Sequence, residues 1–146
     1  MTLKEGDKAP QFSLLKEYLG KKRVVLYFYP KDDTPGCTVE ACAFRDNIKK
    51  IEDLDTVVIG VSPDDDKSHN KFIDKFKLPF RLYPDIDKQV VEAYGVWVKK
   101  SMYGKEYMGV ARTTFLIGKS GEIEKIYEKV KPEGHAEEVL AFLKNA

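Results

Sequence analysis

The chain has 146 residues, 42% hydrophobic and 34% charged, which suits one globular domain with one core and excludes a disordered segment. Lys+Arg is 25 and Asp+Glu is 24, for a net charge of +1, so no basic excess points to nucleic acid and no acidic tail is present. Met1 to Pro10 carries no apolar secretory core and the longest apolar run is far too short to span a bilayer, so a cytoplasmic location with no membrane partner is the expectation.

After an irregular lead-in, Gly6-Asp7-Lys8-Ala9-Pro10, and a short apolar segment, Phe12 to Leu15, the run Val24 to Tyr29 is apolar at nearly every position. That pattern predicts a strand buried on both faces. The chain then breaks at Pro30 and turns through Asp32, Asp33, Thr34, Pro35 and Gly36 into a helical pattern carrying both cysteines, Cys37 and Cys42. Apolar positions Ala41, Phe44, Ile48 and Ile51 recur at three and four, which predicts one amphipathic helix from Cys37 to about Asp53. Cys37 falls at its first turn, where backbone N–H groups lack intrahelical partners and the helix dipole favours an anion; a thiol there is favoured as thiolate, the nucleophilic form.

Thr56 to Ser62 is a second buried strand, and strand–helix–strand without a hairpin is a parallel βαβ unit. The acidic run Asp64-Asp65-Asp66 reads as a solvated helix cap rather than a cation site, ahead of a helix from Lys67 to Lys77 with Phe72, Ile73 and Phe76 inward. A short strand, Phe80 to Tyr83, and a short helix, Lys88 to Tyr94, stopped by Gly95, come next. Val98 to Gly109 reads as a polar and aromatic loop. Arg112 to Ile117 and Glu122 to Tyr127 flank Gly118-Lys119-Ser120-Gly121 as a β-hairpin, and Glu133 to Leu143 closes the chain as a helix. A βαβ half followed by a ββα half is an α/β protein of thioredoxin-like fold: a central mixed β-sheet flanked by helices on both faces, with its site at the carboxyl end of the first strand. The two cysteines fall there, and in a chain of this kind they point to catalytic or redox chemistry rather than a structural disulfide.

The stretch Tyr29-Pro30-Lys31-Asp32-Asp33-Thr34-Pro35-Gly36-Cys37-Thr38-Val39-Glu40-Ala41-Cys42 resembles the active-site loop of peroxiredoxins, above all the bacterioferritin comigratory protein, or peroxiredoxin Q, branch. The likeness runs nearly end to end, through Gly6 to Leu14, Tyr94-Gly95-Val96-Trp97 and Arg112 to Ile117. The chain departs from the branch in a shorter stretch between Leu14 and Arg23 and in Tyr83-Pro84-Asp85. The resemblance implies Cys37 as the peroxidatic thiol, oxidised by hydrogen peroxide or an alkyl hydroperoxide to sulfenic acid. It implies Cys42 as the resolving thiol that forms a disulfide with Cys37, and a thioredoxin-like reductant that reopens it. Thr34 is implied to hydrogen-bond the peroxide, Pro35 to shield the sulfur from water, and Arg112 to stabilise thiolate and departing oxygen. Glu40 matches the branch as well, but is equally an acid favoured by the helix dipole, and stays outside the catalytic set. No cofactor and no metal is expected: the spacing of His69, His135, Cys37 and Cys42 fits no zinc pattern, and both histidines read as solvated. A monomer or weak homodimer is expected. Two other readings stay open: a disulfide oxidoreductase, although four residues rather than two separate the thiols, and a non-catalytic binding module on the same fold.

Overall fold

The computed structural model describes residues 2–145. Its frame is a five-stranded sheet in the order β3-β2-β1-β6-β7, with β1 Arg23–Phe28, β2 Thr56–Ser62, β3 Arg81–Pro84, β6 Thr113–Ile117 and β7 Ile123–Tyr127. β1 runs parallel to β2, and β2 to β3; β6 is antiparallel to both β1 and β7. The central β1 divides its side chains by the two-residue period of a strand. Val24, Leu26 and Phe28 join one core cluster, with Leu14 and Leu15 of α1 (Ser13–Lys16) and Val90 and Val91 of α5 (Gln89–Ala93). Val25, Tyr27 and Tyr29 join the other, under α2 (Pro35–Asp46), α3 (Ile48–Glu52), α4 (Asp66–Phe76) and α6 (His135–Asn145). Helices therefore cover both faces, as the doubly buried β1 requires.

The expected helix from Cys37 to Asp53 is two helices. Asn47 (φ −108°, ψ 5°) breaks it, and its side-chain amide donates back to the Ala43 carbonyl at 2.8 Å, a local bond that competes with helix propagation. The apolar face survives the break, with Ala41, Phe44 and Ile51 buried. The stretch expected as a loop is a second hairpin: β4 Trp97–Met102 pairs antiparallel with β5 Lys105–Val110. Tyr103 and Gly104 at its turn both have positive φ (53° and 79°), as a tight two-residue hairpin turn requires. Among the described residues no helix is long and apolar enough to cross a membrane.

Candidate active site

The site forms where β1 ends and α2 begins. Thr34 is extended (φ −98°, ψ 157°), Pro35 takes the first helical position, and the Thr38 N–H donates to the Thr34 carbonyl at 2.8 Å. Proline suits that position because its missing N–H would have no helical partner and its φ is already helical. Cys37 thus sits in the first turn of α2, as its spacing predicts, with 1% of its surface exposed. The Thr34 hydroxyl does not cap the helix; it donates to the Lys31 carbonyl at 2.9 Å. Among the described residues the Thr34 side chain therefore leaves the first backbone N–H groups of α2 uncapped. Pro35 is exposed on the rim.

Arg112 reaches Cys37 from the segment that leads into β6. Its Nη2 lies 3.4 Å from Cys37 Sγ and its Nη1 2.8 Å from Glu40 Oε1. Gly36 permits the approach: a Cβ there would stand 3.2 Å from Arg112 Nη2. Burial pulls the Arg112 guanidinium down, but the charges of Cys37 and Glu40 outweigh it and fix the cation. Glu40 is buried, one turn after Cys37 on the same face. Burial pushes its carboxyl up to about 7, against the partial pull of Arg112. Sequence reasoning left Glu40 out of the site because the helix dipole alone accounts for an acid there. Its spacing of three from Cys37, facing an arginine just ahead of a buried strand, was the signal that could have found it.

Tyr27 forms the floor. Gly60, its register partner on β2, makes the room: a Cβ at Gly60 would lie 2.9 Å from the Tyr27 ring. Burial, then the charges of Glu40 and Cys37, raise the Tyr27 phenol well above its ordinary value, so it is neutral. Its hydroxyl and Glu40 Oε2 are both buried without a hydrogen-bond partner among the described residues. Cys42 lies farther along α2, half-buried, and both thiols are free. The structure thus brings Cys37 and Arg112 together with Glu40 at the start of α2, with Thr34 at the helix N-cap bonded to Lys31, Pro35 exposed and Cys42 farther along the helix.

Both histidines depart from expectation. His69 and His135 are 1% and 2% exposed. His69 shares the inward stripe of α4 with Phe72 and Phe76, at spacings of three and seven; His135 shares that of α6 with Val139 and Leu143, at four and eight. Each has its polar atoms engaged: His69 with Asp32 and the Tyr83 carbonyl, His135 with Thr114 and Glu138. The acidic run divides too. Asp65 caps α4 by accepting the Ser68 N–H at 2.8 Å, while Asp64 is half-buried and accepts from Ser62 and from the backbone of Asp32.

A thioredoxin-like fold with a buried thiol in the first turn of a helix, faced by an arginine, defines a class of enzymes that work through a reactive cysteine. Residues 1–126 match the AhpC/TSA family. Peroxiredoxin Bcp of Bacillus subtilis is 49% identical over 154 residues, covering 99% of this chain and 98% of its own. Peroxiredoxin Bcp of Escherichia coli is 43% identical, over 97% and 96%. A cysteine-to-serine mutant of Xylella fastidiosa PrxQ superposes with a TM-score of 0.92 at 36% identity, over 99% and 98% of the two chains. A Xanthomonas campestris bacterioferritin comigratory protein with alkyl peroxide reduction activity gives 0.85 at 40%, over 90% and 83%. The chain belongs to the AhpC/TSA family, in its peroxiredoxin Bcp and PrxQ branch, and is a thiol peroxidase.

Proposed function

We propose that Cys37 is the peroxidatic thiol and that Cys42 resolves it. The observation that carries this reading is Arg112 Nη2 at 3.4 Å from a buried Cys37 Sγ in the first turn of α2. The thiolate attacks one peroxide oxygen, the O–O bond breaks, and water or an alcohol leaves after taking a proton; Cys37 becomes sulfenic acid. Arg112 balances the negative charge on sulfur and then on the departing oxygen. The uncapped N–H groups of α2 and the Thr34 hydroxyl, which turns from the Lys31 carbonyl, bind the peroxide oxygens, and Pro35 screens the sulfur from bulk water. Hydrogen peroxide and small alkyl hydroperoxides are the substrates. Cys42 then displaces hydroxide, released as water, from the sulfenate, and a thioredoxin-like dithiol reduces the disulfide. Because both thiols belong to one chain, a monomer or weak homodimer suffices. Two free thiols suit the reducing cytoplasm.

Resolution requires α2 to open. Across five residues of an intact helix the Cα atoms lie roughly 8–9 Å apart and the side chains diverge by about 140°, whereas a disulfide takes roughly 4.4–6.8 Å with converging side chains. α2 is continuous from Pro35 to Asp46 with both thiols free, so the segment from Cys37 to Cys42 unwinds after oxidation. Mass spectrometry after one equivalent of peroxide tests the assignment. Cys42→Ser is expected to complete one turnover and then progress to sulfinic acid, and Cys37→Ser to consume no peroxide. An unchanged steady-state rate in Cys42→Ser removes it from the mechanism. Equal, strong amide protection of residues 37–46 in reduced and disulfide forms would refute the unwinding.

A further inference from the structure

Five residues before Cys37, the side chain of Asp32 is engaged from every side. Tyr29 donates its hydroxyl to Oδ1 at 2.5 Å, Ser68 donates its hydroxyl to Oδ2 at 2.7 Å, and His69 Nδ1 lies 2.7 Å from that same oxygen. His69 Nε2 stands 3.0 Å from the Tyr83 carbonyl in β3. The Asp32 N–H donates to Asp64 Oδ2 at 2.8 Å, which also accepts the Ser62 hydroxyl. Asp32 is 7% exposed and His69 1%. Carboxylate oxygens of Asp32 and Asp64 and a ring nitrogen of His69 come within 4.8 Å of one another, and they are spent on these bonds.

A carbonyl only accepts, so His69 Nε2 carries a hydrogen, and one further proton lies between Nδ1 and Asp32 Oδ2. Each Asp32 oxygen also accepts an O–H donor, which favours the carboxylate and with it an imidazolium. Burial alone pulls His69 down, and the Asp32 hydrogen bond and charge reverse this to hold it above its ordinary value. Burial alone pushes Asp32 up, and the bonds from His69, Tyr29 and Ser68 bring it below its ordinary value.

Asp32 is the last buried residue before α2, and Asp33 beside it is joined to α4 through an exposed ion pair with Lys75 at 2.8 Å. Asp33 follows in a left-handed conformation (φ 55°), then extended Thr34, then α2. The Thr34 hydroxyl bonds back to Lys31, beside the anchor, so a displaced Asp32 displaces Thr34 and Cys37 with it. We infer that Asp32 and His69 are a positioning pair for the peroxidase: they fix the β1–α2 turn where the Thr34 hydroxyl and the start of α2 meet the peroxide, and they stay in place while α2 unwinds. The inference rests on Cys37 as the peroxidatic thiol. It deepens that reading by giving the site a fixed support on elements outside the moving helix.

Rapid mixing of reduced protein with hydrogen peroxide separates two steps, oxidation of Cys37 and closure of the Cys37–Cys42 disulfide. In His69→Leu the first step is expected to slow roughly 10- to 100-fold, the cost of misplacing reacting groups by about an ångström, while the second keeps its rate. His69→Asn presents an amide donor where Nδ1 stands and is expected to recover most of the loss. A His69 that serves stability alone would leave both rates of the folded variants at wild type, and that result overturns the inference. Where His69→Leu does not fold, Asp32→Asn takes its place: a slowed first step supports the pair and a wild-type first step overturns it. Ring nitrogen resonances of His69 in the wild-type protein at pH 7 must report two bound protons; a singly protonated ring overturns the charged pair. Failure of the underlying reading shows separately, as peroxide consumption that survives in Cys37→Ser.

Discussion

The turn that carries Cys37 is held at two ends, and the two are built on opposite terms. At the Asp32 end, both carboxylate oxygens, both nitrogens of His69 and the backbone N–H of Asp32 have partners. At the Arg112 end, one guanidinium is divided between Cys37 and Glu40, while Glu40 Oε2 and the Tyr27 hydroxyl are buried without a hydrogen-bond partner among the described residues. A fully satisfied buried network is rigid, because any rearrangement costs hydrogen bonds it cannot replace. An incompletely satisfied one has already borne that cost and can take up new charge. Under the proposed mechanism the difference separates support from chemistry: polar atoms are saturated where the turn would stand still and left short where sulfur and oxygen would change charge.

Removing Arg112 breaks the comparison hardest. Arg112→Ala is expected to slow peroxide attack by roughly 10²–10³-fold, the loss seen when one donor to a developing oxyanion is deleted. Arg112→Lys should recover only part, since a single ammonium cannot serve Cys37 and Glu40 in the fork geometry of a guanidinium. Arg112→Ala also leaves Glu40 buried without its counter-charge, so stability falls as well. Adding Glu40→Gln to Arg112→Ala should restore the stability and leave the rate low. Rapid mixing and denaturant unfolding on the same variants check both; a rate that recovers with stability would show that Arg112 acts on the fold alone.

Glu40 gives the next effect, and its sign follows from burial. Its folded carboxyl titrates at about 7 against an ordinary 4.5. Between those values the folded chain holds a proton that the unfolded chain has released, so stability declines as pH rises through this window and is level above it. The decline is at most about 3 kcal/mol. Denaturation midpoints from pH 4 to 8 should show this slope in the wild-type protein and lose it in Glu40→Gln. The same slope in both would place the proton elsewhere.

The reactive end of this design was legible in the sequence, and the supporting end was not. The unbroken apolar run of β1, the Pro-Gly entry to α2 and Arg112 at the head of a Thr-Phe-Leu-Ile strand each carry a local signal that the structure repeats. The Asp32–His69 pair joins residues 37 positions apart in different elements, and no local pattern marks such a bond. Half of it was still readable: His69 falls on the same helical stripe as Phe72 and Phe76, and only its polarity argued for solvent. The β4–β5 hairpin was hidden for the opposite reason. It projects from the sheet with both faces mostly exposed, so lysines replace the alternation that marks a half-buried strand, and Tyr103-Gly104 at its turn was the one remaining sign.

The smallest effects sharpen the comparison most, because two neighbouring residues on one helical turn separate support from mere stability. The Asp65 side chain caps α4 through the Ser68 N–H and, among the described residues, makes no hydrogen bond to Asp32 or to Cys37. Asp65→Ala is expected to cost about 1 kcal/mol, an ordinary N-cap loss, with an unchanged rate of peroxide attack. Ser68→Ala removes a hydroxyl that donates to Asp32 Oδ2. Its stability cost is also about 1 kcal/mol, typical of one hydrogen bond, but it leaves a buried carboxylate oxygen one donor short. The turn gains freedom there, so Cys37 oxidation should slow several-fold while disulfide closure does not. Denaturant midpoints with unchanged slopes would establish equal destabilisation, and rapid mixing at one pH would compare the rates. Equal rates of Cys37 oxidation in the two variants would mean that saturation at Asp32 secures the fold without setting the geometry of the thiol.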